Sequence, residues 1–148
     1  KQKCEVLIKD NKCNSVSLRY FNPIGSHDSG LIGDYSSDNS SNLIPIVSEV
    51  AYGVREKLII HGNDYDTHDG TCIRDYIHVS DLADIHYRIL KKISKMNKSM
   101  ILNCGYNKGV SVNAVINEFK NQSKKKYQFY IKSKGQVIFQ WLLLIIKN

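Results

Sequence analysis

With 148 residues, 42% of them hydrophobic, and nine Tyr, four Phe and one Trp, the chain has the material for about one ordinary globular domain, and it holds no apolar run of about 20 residues that could span a bilayer. The formal charge of +7 raises a nucleic-acid reading, but part of the excess sits late, in Lys124, Lys125, Lys126, Lys132 and Lys134, while Asp64 to Asp84 mixes acids with bases; a solvated lysine-rich surface accounts for it, so neither a nucleic-acid nor a membrane partner is expected. Lys1-Gln2-Lys3-Cys4-Glu5 lacks the order of a secretory signal, and Cys4, Cys13, Cys72 and Cys104 show no C-x-x-C pair or zinc-like spacing to His, so the expectation is a soluble, cytoplasmic chain with reduced thiols and no metal.

Lys3 to Lys9 reads as the end of a helix, closed by the turn Asp10-Asn11-Lys12. Val16 to Phe21 alternates as a strand, and Pro23 and Gly25 stop it, placing Asn22 at a strand's carboxyl end, where open α/β sheets bind their ligands. Ser26 to Asn42, rich in Ser, Gly, Asp and Asn, predicts a long exposed loop. Leu43 to Gly53 has one apolar helical face and tolerates Pro45 in its first turn. Lys57 to His61 and Ile73 to Val79 read as short strands separated by the polar loop Gly62 to Gly70, and Ser80 as the N-cap of a helix whose Leu82, Ile85, Ile89 and Ile93 recur at helical spacing. Met100 to Cys104 is a strand, Gly105 and Gly109 bracket a turn, and Ser111 caps a helix through Phe119. Alternating strands and helices give an α/β class. Val137 to Ile146 breaks the order as a nearly continuous apolar run, read as a buried strand or an aggregation-prone segment.

Three blocks stand in one order: Leu18-Arg19-Tyr20-Phe21-Asn22-Pro23-Ile24-Gly25-Ser26-His27, then Ser41-Asn42-Leu43-Ile44-Pro45, then Gly62 to Val79, which contains Gly62-Asn63-Asp64-Tyr65, Asp69-Gly70-Thr71 and Arg74-Asp75-Tyr76. They resemble the L-R-Y-F-N-P-x-G-A-H, N-N-L-x-P and G-N-D-Y-x-T-x-D-G-T-x-x-R-D-Y-I-H-V segments of the UDP-galactose (UDP-glucose) 4-epimerases, within the extended short-chain dehydrogenase/reductase family. Asp81-Leu82-Ala83-Asp84 and Asn103-Cys104-Gly105 continue the resemblance, which covers residues 1–120. It implies an α/β fold made of the late strands of an incomplete NAD(P)-binding Rossmann-like domain plus a small carboxy-terminal substrate-binding lobe. Residues 121–148 would be a divergent tail, expected to come from a shifted reading frame or a mispredicted coding end. There Lys132-Ser133-Lys134-Gly135-Gln136 stands where the family carries R-R-x-G-D.

The resemblance also implies chemistry: NAD as cofactor, UDP-galactose and UDP-glucose as substrates, and full-length members that are homodimers. Asn22 would contact the sugar nucleotide, Asn42 and Leu43 the phosphate and uridine, Ile59, Ile60 and His61 the uracil, and Arg74 the diphosphate. These types suit the ligand, because an amide both donates and accepts and a guanidinium binds phosphate as a fork. From composition alone, Arg74 could instead pair with Asp75 or Asp69, a reading the motif disfavours, and Tyr20 and Phe21, matched to positions beside the nicotinamide, could be core aromatics. Lys1 aligns with the Lys of a Y-x-x-x-K pair, which lowers the pKa of the Tyr base and holds the cofactor ribose; that Tyr would lie before residue 1. The sequence carries no G-x-x-G-x-x-G fingerprint, so the expectation is a carboxy-terminal piece with little or no activity by itself. Other extended dehydrogenases acting on sugar nucleotides, and a non-catalytic binding remnant, are the competing readings.

Overall fold

The computed structural model describes residues 1–10, 14–33, 42–123 and 129–132. Its backbone divides into two compact units, each assembled from two separate stretches: Lys1–Asp38 with Arg74–Val110, and Asn39–Ile73 with Ser111–Asn148.

In the first unit, helix α1 (Gln2–Asp10) leads to strand β1 (Val16–Tyr20), which pairs in parallel with β5 (Met100–Cys104) from Val16 opposite Met100 to Tyr20 opposite Cys104. The single strand expected up to Asn22 is divided. Phe21 breaks it, and β2 (Asn22–Ile24) pairs in parallel with β4 (Ile73–His78) instead, Asn22 opposite Tyr76 and Ile24 opposite His78. Pro23, which has no N–H to give a ladder, is accommodated because β2 lies at the edge of the order β2-β4-β6, with β6 being Gly109–Ser111. Strand β4 carries the buried Tyr76 and Ile77.

Helix α3 (Val79–Ile93) follows β4 with no intervening residue. That continuity corrects the expected cap. His78 is the N-cap, its Nδ1 accepting the Ser80 N–H at 3.2 Å, while Ser80 sits inside the first turn as a donor. Asp81 in the first turn and Lys91 and Lys92 in the last complement the helix dipole.

In the second unit, α2 (Leu43–Tyr52) ends at Gly53, whose φ of 78° is the left-handed turn that glycine takes freely. Ser111 caps α4 (Val112–Ser123) as anticipated, its Oγ accepting the Ala114 N–H at 3.1 Å. The helix passes the expected end at Phe119, since nothing from Lys120 to Ser123 breaks it and Gln122 bonds Glu118 one turn back at 2.8 Å. Strand β3 (Leu58–His61) pairs in parallel with β7 (Phe129–Lys132), which the sequence did not announce. The core is Val47 and Val50 of α2, Leu58 and Ile60 of β3, and Ile116 of α4, with Leu43, Ile46, Val112 and Phe119 packed on it. The apolar run Val137 to Ile146 lies outside the described residues.

A polar knot fastens the start of α4. The Asp69 carboxylate accepts from Thr71 N–H at 2.9 Å, Thr71 Oγ1 at 2.7 Å and Ser111 Oγ at 2.5 Å, and Thr71 and Ser111 are each only 1% exposed. The Ser111 bond first, and those of Thr71 after it, hold Asp69 below the usual carboxylate range despite partial burial. A depressed folded-state pKa contributes stability that is present above the unfolded-chain value, about 3.9 for Asp, and lost as pH falls through the lower folded value. Urea midpoints measured from pH 6 downward are therefore expected to drop below about pH 4 in the native chain. Asp69→Asn should have a lower midpoint at pH 6 and a flatter acid limb; an unchanged acid limb would remove Asp69 as a source of the loss.

Candidate functional site

The residues singled out by the sequence fall in both units. In the first, Lys1 precedes α1, is exposed, and accepts the Glu5 N–H on its carbonyl at 3.2 Å. The Glu5 carboxylate pairs with the Arg19 guanidinium, Nε to Oε1 at 2.8 Å and a second bond from Nη2 to Oε2, tying α1 to β1. Arg19 holds the Glu5 carboxyl below its ordinary range.

Tyr20 ends β1 with 52% of its surface exposed, beside a groove of about 310 Å³ lined by Val16 and Leu18 of β1 and Ile89 and Ile93 of α3. Phe21 is half-buried, and its N–H donates to the Cys104 carbonyl at 3.1 Å. Of the two aromatics, Phe21 is thus the more enclosed and Tyr20 the more open. Asn22 is exposed at the head of β2. Arg74, partly buried, shares a face of β4 with Tyr76 by the two-residue period of a strand, and Tyr76 stands opposite Asn22. Asn22 and Arg74 are thus carried by adjacent strands. Gly25 follows β2 with φ 88°, and a Cβ there would fall 2.3 Å from His78 Nε2, so only glycine lets β2 leave over the imidazole.

In the second unit, Asn42 occupies the N-cap position of α2 in extended conformation, yet its side chain makes no capping bond, and the first turn of α2 holds no acid. Its amide is exposed. Leu43 is half-buried against the core. Along β3, exposed and buried residues alternate: Ile59 is 44% exposed and His61 is exposed, whereas Ile60 is 4% exposed inside the core. Strand alternation thus places the Ile60 side chain in the core, away from the face of Ile59 and His61.

Three further residues organise the first unit. Asp75 accepts the backbone N–H groups of Tyr106 at 3.2 Å and Asn107 at 2.8 Å. The Tyr106 hydroxyl accepts the His78 N–H at 3.1 Å and donates to the Asp81 carboxylate, which pushes the phenol above its ordinary pKa. Gly105 has no room for a side chain, since a Cβ would come 2.1 Å from Phe21 Cδ2. Arg74-Asp75-Tyr76 and Asn103-Cys104-Gly105 were visible as motifs, but that one closes on the other requires β4 and the turn after β5 to be neighbours.

Residues 1–105 match the NAD dependent epimerase/dehydratase family. The chain is 46% identical over 130 residues to the UDP-glucose 4-epimerase of Bos taurus, covering 86% of this chain and 37% of that protein, and 43% identical over 136 residues to that of Dictyostelium discoideum, covering 90% and 40%. Among solved structures, UDP-glucose-4-epimerase from Stenotrophomonas maltophila with bound NAD and formylated UDP-arabinopyranose superposes with a TM-score of 0.82 at 36% identity, over 91% of this chain and 40% of that one. The Bifidobacterium longum enzyme in complex with NAD+ and UDP gives 0.79 at 38% identity, over 88% and 39%. The chain therefore spans about two fifths of the length of these relatives, corresponding to their carboxy-terminal portion.

Proposed function

The chain belongs to the NAD dependent epimerase/dehydratase family, and from that membership we propose that it is the sugar-nucleotide-binding part of a UDP-glucose 4-epimerase, interconverting UDP-galactose and UDP-glucose in the cytoplasm as part of a homodimeric whole enzyme. The observation that carries this reading is the 46% identity over 130 residues to a UDP-glucose 4-epimerase. The geometry supports it. Asn22 offers an exposed amide to the sugar nucleotide, and Arg74 a guanidinium to its diphosphate. Asn42, with its amide unused by the helix it precedes, and Leu43 serve phosphate and uridine; Ile59 and His61 present the uracil-facing side of β3, with Ile60 anchoring that strand from the core.

NAD, when bound, supplies reversible hydride acceptance at the sugar's C4. Of the groups that would hold it, this chain contributes the exposed Tyr20, the packed Phe21 and the exposed Lys1 ammonium, while a glycine-rich turn for the pyrophosphate is absent from the 148 residues. These fit the nicotinamide and ribose end alone. The chain assayed by itself is accordingly expected to show little or no epimerisation.

Binding is the decisive measurement. Titration of the 148-residue chain with UDP, followed by amide chemical shifts, should show saturable binding, and Arg74→Ala should weaken it by about 10- to 100-fold, the size of a lost charged hydrogen bond of about 1.5–3 kcal/mol. Absence of saturable binding, or an Arg74→Ala variant with native affinity, would overturn the proposal.

A further inference from the structure

We propose that Asp75 is a positioning residue for the nucleotide-sugar site: its carboxylate clamps the turn Gly105–Asn107, so that Gly105 forms a floor under the Phe21 ring and fixes Asn22, the next residue. Asp75 stands in β4 between Arg74 and Tyr76. Each of its oxygens takes one donor from the turn after β5, Oδ1 the Tyr106 N–H at 3.2 Å and Oδ2 the Asn107 N–H at 2.8 Å. Two successive N–H groups converging on one anion set the turn's direction as well as its place. The turn needs such a partner, because Asn107 has φ 55°, in the left-handed region that side chains other than glycine enter at a cost.

The clamp leads directly to Phe21. A Cβ on Gly105 would lie 2.1 Å from Phe21 Cδ2 and 2.7 Å from Asp75 Oδ2, so ring, glycine and carboxylate are stacked without spare space. The Phe21 N–H also bonds the Cys104 carbonyl at 3.1 Å, one residue before that glycine. The Phe21 ring thus takes its position from the turn, and its backbone from the end of β5 that leads into it. Asn22 begins β2, a strand of three residues registered on β4, so displacement of Phe21 is passed to the amide that meets the sugar nucleotide.

The inference rests on the reading that Asn22 and Arg74 bind UDP-glucose. Electrostatics and positioning make opposite predictions, which separates them. A carboxylate adjoining Arg74 repels a diphosphate, so if charge were its whole effect, removing it would tighten binding. If Asp75 positions, removing it loosens binding. The 148-residue chain and its Asp75→Asn, Asp75→Ala and Asp75→Ala/Asn107→Gly forms would be titrated with UDP-glucose while Phe21 and Asn22 amide resonances are followed. The expected result is a loss of about tenfold for Asp75→Ala and less for Asp75→Asn, which keeps one acceptor oxygen, with both resonances displaced in the free proteins. Asn107→Gly should restore part of the loss, since glycine takes φ 55° without the penalty. Should Asp75→Ala fail to fold, Asp75→Asn alone decides by the same readings. Tighter or unchanged binding, or Phe21 and Asn22 resonances that stay in place, would overturn the role. If the native chain fails to bind UDP-glucose, the substrate reading falls by itself, and the two resonances still decide whether Asp75 sets Phe21: displaced, it does; unmoved, it does not.

Discussion

Replacing Gly70 with alanine is expected to destabilise the unit containing α2, β3 and α4 by roughly 3 kcal/mol or more, a large share of the 5–15 kcal/mol that holds an ordinary domain together. Two costs combine. Gly70 has φ 75°, where a side chain costs about 1–2 kcal/mol. Its Cβ would also land 2.2 Å from the Asn63 carbonyl oxygen and 3.0 Å from the Asn63 carbonyl carbon, and backbone cannot rotate away as a side-chain tip would. Relief by moving the loop would be paid in bonds: the Gly70 carbonyl accepts the Tyr65 N–H at 3.0 Å, its N–H reaches the Thr67 carbonyl at 3.3 Å, and its neighbours Asp69 and Thr71 form the knot at the start of α4. Gly30 supplies the control, with φ 69° and nothing within 4 Å of a built Cβ, so Gly30→Ala should show the conformational cost alone. Urea midpoints of the two variants lying within about 1 kcal/mol of each other would show that the Asn63 contact contributes nothing.

Much of the fold could be read along the chain wherever the decisive interaction was local. The α2 helix ended at Gly53 and the α4 helix began at Ser111 because a left-handed glycine and a hydroxyl cap act within one turn of themselves. The errors occur where a distant partner decides. Val16 to Phe21 reads as one strand reaching Asn22, but β1 belongs to β5 and β2 to β4, and only the pairing shows that Phe21 is the break. Ser80 is the better cap residue by type, yet β4 runs straight into α3, which leaves the cap position to His78. Strand β7 came without a signal, since Phe129 to Lys132 becomes a strand by lying along β3.

The site divides in the same way. Asn22 and Arg74 were legible as motif residues, and the structure adds that the strands bearing them are neighbours. Along β3, alternation sends the Ile60 side chain to the core and leaves Ile59 and His61 on the opposite face, a division that the run Ile59 to His61 does not announce by itself. Asp75 was legible as a partner for Arg74 and Gly105 as a turn residue, but their connection was not, since they are separated along the chain and meet only when the carboxylate closes on the turn.

Ile116→Ala is expected to cost about 2–5 kcal/mol, the range for truncating a large aliphatic side chain in a packed core. Ile116 is 2% exposed on α4, where it meets Val47 and Val50 of α2 and Leu58 and Ile60 of β3, so the vacated volume borders three elements whose backbones are held by their own hydrogen bonds and close over it poorly. Ile116→Val removes a single methylene and should cost about 0.5–1.5 kcal/mol. Ile101 on β5 has the same side chain at 49% exposure, and its truncation should cost less than about 1 kcal/mol. The consequence for the proposed uracil-facing side runs through β3: the core that fixes Leu58 and Ile60 also sets where Ile59 and His61 stand on the opposite face. Urea unfolding of the three variants decides the matter, and equal losses for Ile116→Ala and Ile101→Ala would mean that α4 does not carry the core beneath that strand.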